Sequence, residues 1–317
     1  MSSINTNVAA MTALQNLTQT NKSLIEVQKR ISTGLRVAEA SDNAAYWSIA
    51  TTMRSDIAAL STVQDALGLG AAAIDVAYTA VNSSIEVVNQ IKSKLVTARE
   101  PGLDRAKVQS EITELQEHLN SIAHSASFSG DNWLAVDSNL ASYNGTKNIV
   151  ASFTRTGDMV TVQTITIDTA SIELFDANAA TTNAAAGILD ANRKTTDGTI
   201  DNTGTTFSVY GLNISSLTDS TTDLATLDSY VKGADAAIKE MTTAAASLGA
   251  VKSRIGLQQG FVKNLMNALD RGIGALIDAD MNEESTKLQA LQVKQQLGIQ
   301  TLSIANSDSQ GILKLFR

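Results

Sequence analysis

The feature that most constrains this chain is a long apolar repeat free of proline. Leu224, Leu227, Val231, Ala234, Ile238, Met241, Ala245 and Leu248 recur alternately three and four residues apart. A period of about 3.5 residues is the seam of a coiled coil. The pattern slips near Lys252 and resumes at Ile255, Val262, Leu265, Leu269 and Leu276. The spacing predicts one helix over 224–276, ~80 Å long at the usual rise per residue. Such a rod cannot bury its own seam, so it requires partner helices.

The first third of the chain supplies them. Val108, Ile112, Leu115, Leu119 and Ile122 form a second seam, and Pro101-Gly102 marks a turn just before it. Ile74, Val81, Ile85, Val88 and Leu95 form a third. These positions are the expected core of a helical layer. Periodicity alone fits either a monomeric bundle or an assembling coiled coil. The two ends favour assembly. Ile4, Val8, Met11, Leu14, Leu17, Leu24 and Ile31 recur every three or four residues, with few charges between them. At the other end Leu288, Leu291, Leu302, Ala305, Ile312 and Phe316 form one stripe. Val293, Leu297, Ile299, Ile304, Leu313 and Leu315 form another. A helix apolar on more than one face is covered on more than one side. Termini otherwise fray, so these stripes are expected to be buried on assembly.

Charge sharpens the division. Residues 1–130 hold 12 acids and 10 bases, residues 131–230 hold 12 and 4, and residues 231–317 hold 8 and 10. The net charge of −8 therefore belongs to the middle, where self-repulsion favours a wet surface. Net acidity argues against nucleic acid as a partner. With no cysteine, disulfides, thiolate metal sites and cysteine nucleophiles are excluded. The N-terminal residues lack a basic segment followed by an apolar core, so no cleaved signal is expected. No uninterrupted apolar run reaches the length of a membrane span, so no membrane insertion is expected.

The middle changes character. In residues 148–168, β-branched residues alternate on both sides of Thr156-Gly157-Asp158, which signals a hairpin. Residues 176–206 read as a surface loop. Phe207, Val209, Tyr210, Leu212 and Ile214 suggest one or two further strands. The whole is a small insertion between helical arms.

A search for chemistry returns little. His118 and His124 are six apart, a spacing that does not place a metal pair on one helix face, and both are expected at the surface. Gly68-Leu69-Gly70-Ala71-Ala72-Ala73 matches a dinucleotide fingerprint literally, but no strand precedes it. A flexible point between helical segments is the expectation there. Asp278, Asp280 and Asn282 imitate the start of a calcium loop, yet Glu283 replaces its glycine and Gln289 its last carboxylate. A break between two helices is expected instead. Tyr46-Trp47 has two readings, a binding platform or burial at a helical junction, and burial is the expectation. No catalytic residue, cofactor or metal site is expected. An enzyme or adhesin carried in residues 171–221 is the alternative from another class, and that span has no histidine.

The arms resemble bacterial flagellin, the filament subunit. The N-terminal residues are Ile4-Asn5-Thr6-Asn7, Ile31-Ser32-Thr33-Gly34-Leu35-Arg36-Val37 and Ala40-Ser41-Asp42-Asn43-Ala44-Ala45. The C-terminal ones are Leu248-Gly249-Ala250, Arg254, Ile277-Asp278-Ala279-Asp280, Glu284, Gln292, Gln295, Gln296, Gly298, Leu302, Ala305, Asn306, Gln310, Leu313 and Leu315. Where the family usually continues Gly-Leu, this chain has Tyr46-Trp47, as rhizobial flagellins do. The resemblance implies a mainly α fold: long paired terminal helices in a coiled-coil core, a β-hairpin and a small α/β variable insertion. It implies three layers: 1–45 with 277–317 innermost, 46–170 with 222–276 around them, and 171–221 outermost. It implies a self-assembling extracellular filament for swimming, with a hook–filament junction protein as the second reading. The implied partners are other copies or other flagellins, the flagellar export apparatus, an export chaperone, the filament cap and hook-junction proteins.

Overall fold

The computed structural model describes residues 7–157, 159–177, 187–195, 198, 200 and 206–315, with side chains through 307. Five helices carry the fold: α1 (Val8–Thr33), α2 (Ala44–Thr97), α3 (Arg105–Ser125), α4 (Thr221–Ile277) and α5 (Met281–Leu315). Between α3 and α4 lie eight strands. Among the described residues these are β1 (Ser127–Phe128), β2 (Asp131–Asn132), β3 (Ala135–Val136), β4 (Thr146–Thr156), β5 (Met159–Asp168), β6 (Phe175–Asp176), β7 (Arg193–Lys194) and β8 (Thr206–Phe207). The chain divides into two compact units, 1–58 with 265–317 and 59–264. The mainly α architecture with long terminal helices and a hairpin is the one expected.

Local chemistry sets the helix ends. Asn7 caps α1 by accepting from the Ala10 amide (3.0 Å), and Gly34 closes it in the left-handed region (φ 71°) with its amide on the Arg30 carbonyl (2.8 Å). Asp42 accepts from the Ala38 and Glu39 amides, which lowers its pKa, and Asn43 accepts from Tyr46 to start α2. Ser220 caps α4 by accepting from the Asp223 amide (3.1 Å).

In the 59–264 unit the seams are strict heptads. On α2, Leu60, Leu67, Ile74, Val81, Val88 and Leu95 are buried, as are Val63, Gly70, Ala77, Ser84 and Ile91 three residues on, with buried Ala98 just past its end. On α4, Leu227, Ala234, Met241, Leu248, Ile255 and Val262 are buried every seven residues. The slip expected at Lys252 is therefore absent. The alternate positions Leu224, Val231 and Ile238, half-buried, give way to Lys252 and Gln259 while the main row continues. Ion pairs such as Lys252–Asp75 (2.5 Å) and Arg99–Asp228 (3.0 Å) run along the exposed flanks.

Helix α3 is rotated from its expected face. Ile112 and Leu119 are buried, but Val108, Leu115 and Ile122 are only half-covered. The inward row instead reads Arg105, Gln109, Ile112, Gln116, Leu119 and Ala123. Its polar members meet backbone. Gln116 Nε2 donates to the carbonyls of Val209 (3.1 Å) and Leu212 (3.2 Å), and Gln109 Oε1 accepts from the Ile214 amide (2.8 Å). Arg105 donates to the carbonyls of Ala98 and Leu217 and to Asp219. This corrects the strands expected over 207–214. Only Thr206–Phe207 pairs as strand, with Arg193–Lys194. The following backbone is satisfied by glutamine side chains rather than a ladder, while Val209, Leu212 and Ile214 are buried.

The hairpin forms as expected, with Thr146 opposite Asp168, Thr156 opposite Met159 and a register shift at Ala151. Its inner face presents Ile149, Ala151, Ile165 and Ile167. Gly70 is where that face meets α2. A Cβ there would lie 2.7 Å from Ile149 Cγ2, whereas one at Gly68 would meet nothing within 4 Å. The glycines are thus no flexible point, since α2 runs straight through both. G68A should raise stability by up to about 1 kcal/mol through helix propensity. G70A should lower it by about 1–3 kcal/mol through overpacking. Denaturant titration of the two variants measures the opposite signs.

The insertion is less wet than its composition suggests. Ile172, Leu174, Leu189 and Ala191 are fully buried, and so are the acids Glu173 and Asp176. Burial pushes the Glu173 carboxyl above its usual range, against a hydrogen bond from the Tyr143 hydroxyl (2.6 Å), and burial likewise raises Asp190. Arg193, wholly buried, pairs with Glu240 of α4 (2.6 Å). One window of α2 is long and apolar enough to cross a bilayer by composition, which counting uninterrupted runs misses. The same helix carries the buried heptads of a packed core.

Candidate assembly interface

In the other unit α1 and α5 lie antiparallel. The Asn7 side chain donates to the Ala305 carbonyl (2.8 Å), Gln295 donates to Asn21 (2.8 Å), and Arg30 meets Glu284 (3.3 Å). At the base of the pair, Leu35 and Asp278 form an antiparallel bridge, and the Ala279 amide donates to the Gly34 carbonyl (2.9 Å). Val37, Ala50, Ile273 and Ile277 form the cluster beneath it, with Leu35, Met53, Ile57 and Leu276 packed around.

The apolar stripe expected on α1 divides into two faces. Leu17, Leu24 and Ile31 are half-buried, in a row completed by buried Ala13, Thr20 and Val27. Val8, Met11 and Leu14 are exposed, Val8 at 70%. On α5, Leu288, Leu291, Leu302 and Ala305 are half-covered, with Gln295 and Gly298 in the same 4-3 row and Glu284 buried at its start. The row expected separately, Val293, Leu297, Ile299 and Ile304, is exposed. Ile4 and Phe316, and the side chains of Ile312, Leu313 and Leu315, lie outside the described residues.

The apolar stripes traced in the sequence passed over Ala13, Thr20, Val27, Glu284, Gln295 and Gly298 as members of the paired rows. The signal that finds them is the seven-residue spacing itself. Gly298 is small because Leu17 lies across it, 3.8 Å from its notional Cβ to that of Leu17. Glu284 is held by Arg30 and Lys287, the latter also paired with Glu283. Each helix thus spends one apolar row on its partner and leaves another uncovered.

The calcium-like run has a structural role. Asp280 Oδ1 accepts from the amides of Asn282 (2.9 Å) and Glu283 (3.3 Å), so the calcium-like run is the cap of α5. Among the described residues no three His, Asp or Glu side chains are grouped to hold a metal ion. His118 and His124 are exposed. Tyr46 and Trp47 contradict their expected burial, since they are 41% and 39% exposed beside exposed Ile49. The core at the helical junction is filled instead by Ala50 and Met53 from the next turn.

Comparison with known proteins agrees. Residues 4–139 match the bacterial flagellin N-terminal helical region, and residues 231–316 match the bacterial flagellin C-terminal helical region. The chain is 51% identical over 330 residues to flagellin C of Rhizobium meliloti (strain 1021), with all of both chains covered. It is 42% identical to a flagellin A of Rhizobium meliloti and 43% to a flagellin of Brucella melitensis biotype 1, again over the whole of each chain. A chain whose two ends carry paired helices with a second apolar face left open, and which matches at both ends and throughout, belongs to the bacterial flagellin family, the structural subunits of the extracellular flagellar filament.

Proposed function

We propose that this chain builds its filament by burying the outer rows of α1 and α5 between neighbouring copies. The observation carrying this reading is that Val8, Met11 and Leu14, and Val293, Leu297, Ile299 and Ile304, stay exposed although α1 and α5 already cover each other's inner rows. Residues 1–45 with 277–317 form the innermost layer, 46–170 with 222–276 the layer around it, and 171–221 the outermost part. The chain leaves the cell through the flagellar export apparatus without signal cleavage. An export chaperone, the filament cap and hook-junction proteins are its partners on that route. Freedom from disulfides suits a chain that must thread a channel. Its work is assembly, with no catalytic step.

Energetics say when the arms order. Fixing a residue's backbone costs about 1–2 kcal/mol, while apolar burial returns about 25 cal/mol per Å². One pair of arms loses that contest, and many stacked neighbours win it. The expected result is a higher helical fraction in the filament than in the monomer, read by circular dichroism on both. Equal helicity would remove the reading.

A further inference from the structure

We infer that Tyr46 and Trp47 seat against a second copy of this chain, adding an aromatic contact to the filament interface. The inference rests on the filament reading and extends its interface from the terminal helices to the first turns of α2. Tyr46 and Trp47 are 41% and 39% exposed, and Ile49 beside them is 49% exposed. From Asn43 to Met53 there is no charged side chain, although every residue from Ala44 to Ile49 is exposed. A face that is exposed, uncharged and aromatic is built to be covered.

The occupant follows from where the face lies. It belongs to the same compact unit, 1–58 with 265–317, as the uncovered rows of α1 and α5. In a homopolymer the surface brought against that unit is another copy. The chain offers a matching partner, since Val8, Met11 and Leu14 are exposed on a stretch, residues 8–21, that has no charged side chain. About two-fifths of a ring that buries roughly 150–250 Å² leaves roughly 60–100 Å² per residue to cover.

The chain's two tryptophans make the test direct. Trp133 is buried with its indole N–H on Asp131 (3.0 Å), so W133F leaves Trp47 as the reporter. On polymerisation the Trp47 emission should move to the blue and become shielded from acrylamide. If W133F impairs assembly, the difference between wild type and W47F carries the same signal. W47A should raise the critical concentration for polymerisation about tenfold, with the thermal midpoint of the soluble subunit unchanged. Emission and quenching that stay the same in the filament would overturn the inference, as would an unaltered critical concentration in W47A. Failure of the wild-type chain to polymerise would instead strike the filament reading, so the two are told apart.

Discussion

Deleting residues 297–317 leaves a soluble chain with its 59–264 unit folded and no ability to form filaments. The cut removes Gly298, Leu302 and Ala305 from the inner row, and Leu297, Ile299 and Ile304 from the outer one. Leu17 loses the glycine it packs against, and the Asn7 side chain loses the Ala305 carbonyl. The distal half of α1 is then an amphipathic helix without a partner, and isolated helices of that length are marginal in water. The 59–264 unit has a core of its own, with Leu67, Ile74, Ile91, Leu119, Met241 and Ile255 buried in it. Electron microscopy and sedimentation of the truncated chain measure the loss, and thermal melting measures the retained unit. Tubes or filaments from the truncated chain would show that the outer row of α5 is not an assembly surface.

The second large effect is expected inside the 59–264 unit. Replacing Gln109 and Gln116 together by leucine keeps the volume of the α3 face and removes its polar ends. The carbonyls of Val209 and Leu212 and the amide of Ile214 then lose the glutamine partners they have in a buried place. A buried polar group left unmade costs about 1–3 kcal/mol, so the double variant should lose about 3–6 kcal/mol. Denaturant unfolding gives the size of the loss. Hydrogen exchange at Ile214 gives its place, since that amide should become one of the fastest in the segment. An unchanged midpoint would mean that water replaces the glutamines, and that these bonds do not hold the 209–214 segment.

Much of this was legible in the sequence because heptads report on helices directly. The long α4, the turn at Pro101-Gly102, the hairpin around Thr156-Gly157 and the two rows of α5 all follow from period and punctuation. What a helix packs against is a different matter. Val108, Leu115 and Ile122 look like a seam, yet α3 turns Gln109 and Gln116 inward because they pair the carbonyls of Val209 and Leu212 and the amide of Ile214. Gly70 reads as a weak point and is a contact, because Ile149 arrives from 79 residues away along the chain. The acids of the middle read as surface charge, while Glu173 and Asp176 are buried in a segment whose Ile172, Leu174 and Phe175 are buried too.

The sequence by itself determined that this chain is helical at both ends, that the ends carry more apolar surface than one partner can cover, and that it holds no cysteine and only two histidines. These follow from local periodicity and from which side chains exist at all. Tertiary structure decided which row each helix gives to its partner and which it keeps open. It placed Leu17 and Leu302 inside the pair and left Val8, Ile304 and Trp47 outside. The reason is that a 3.5-residue repeat fixes the spacing of a buried row, whereas its orientation is set by the shape and polarity of whatever lies opposite.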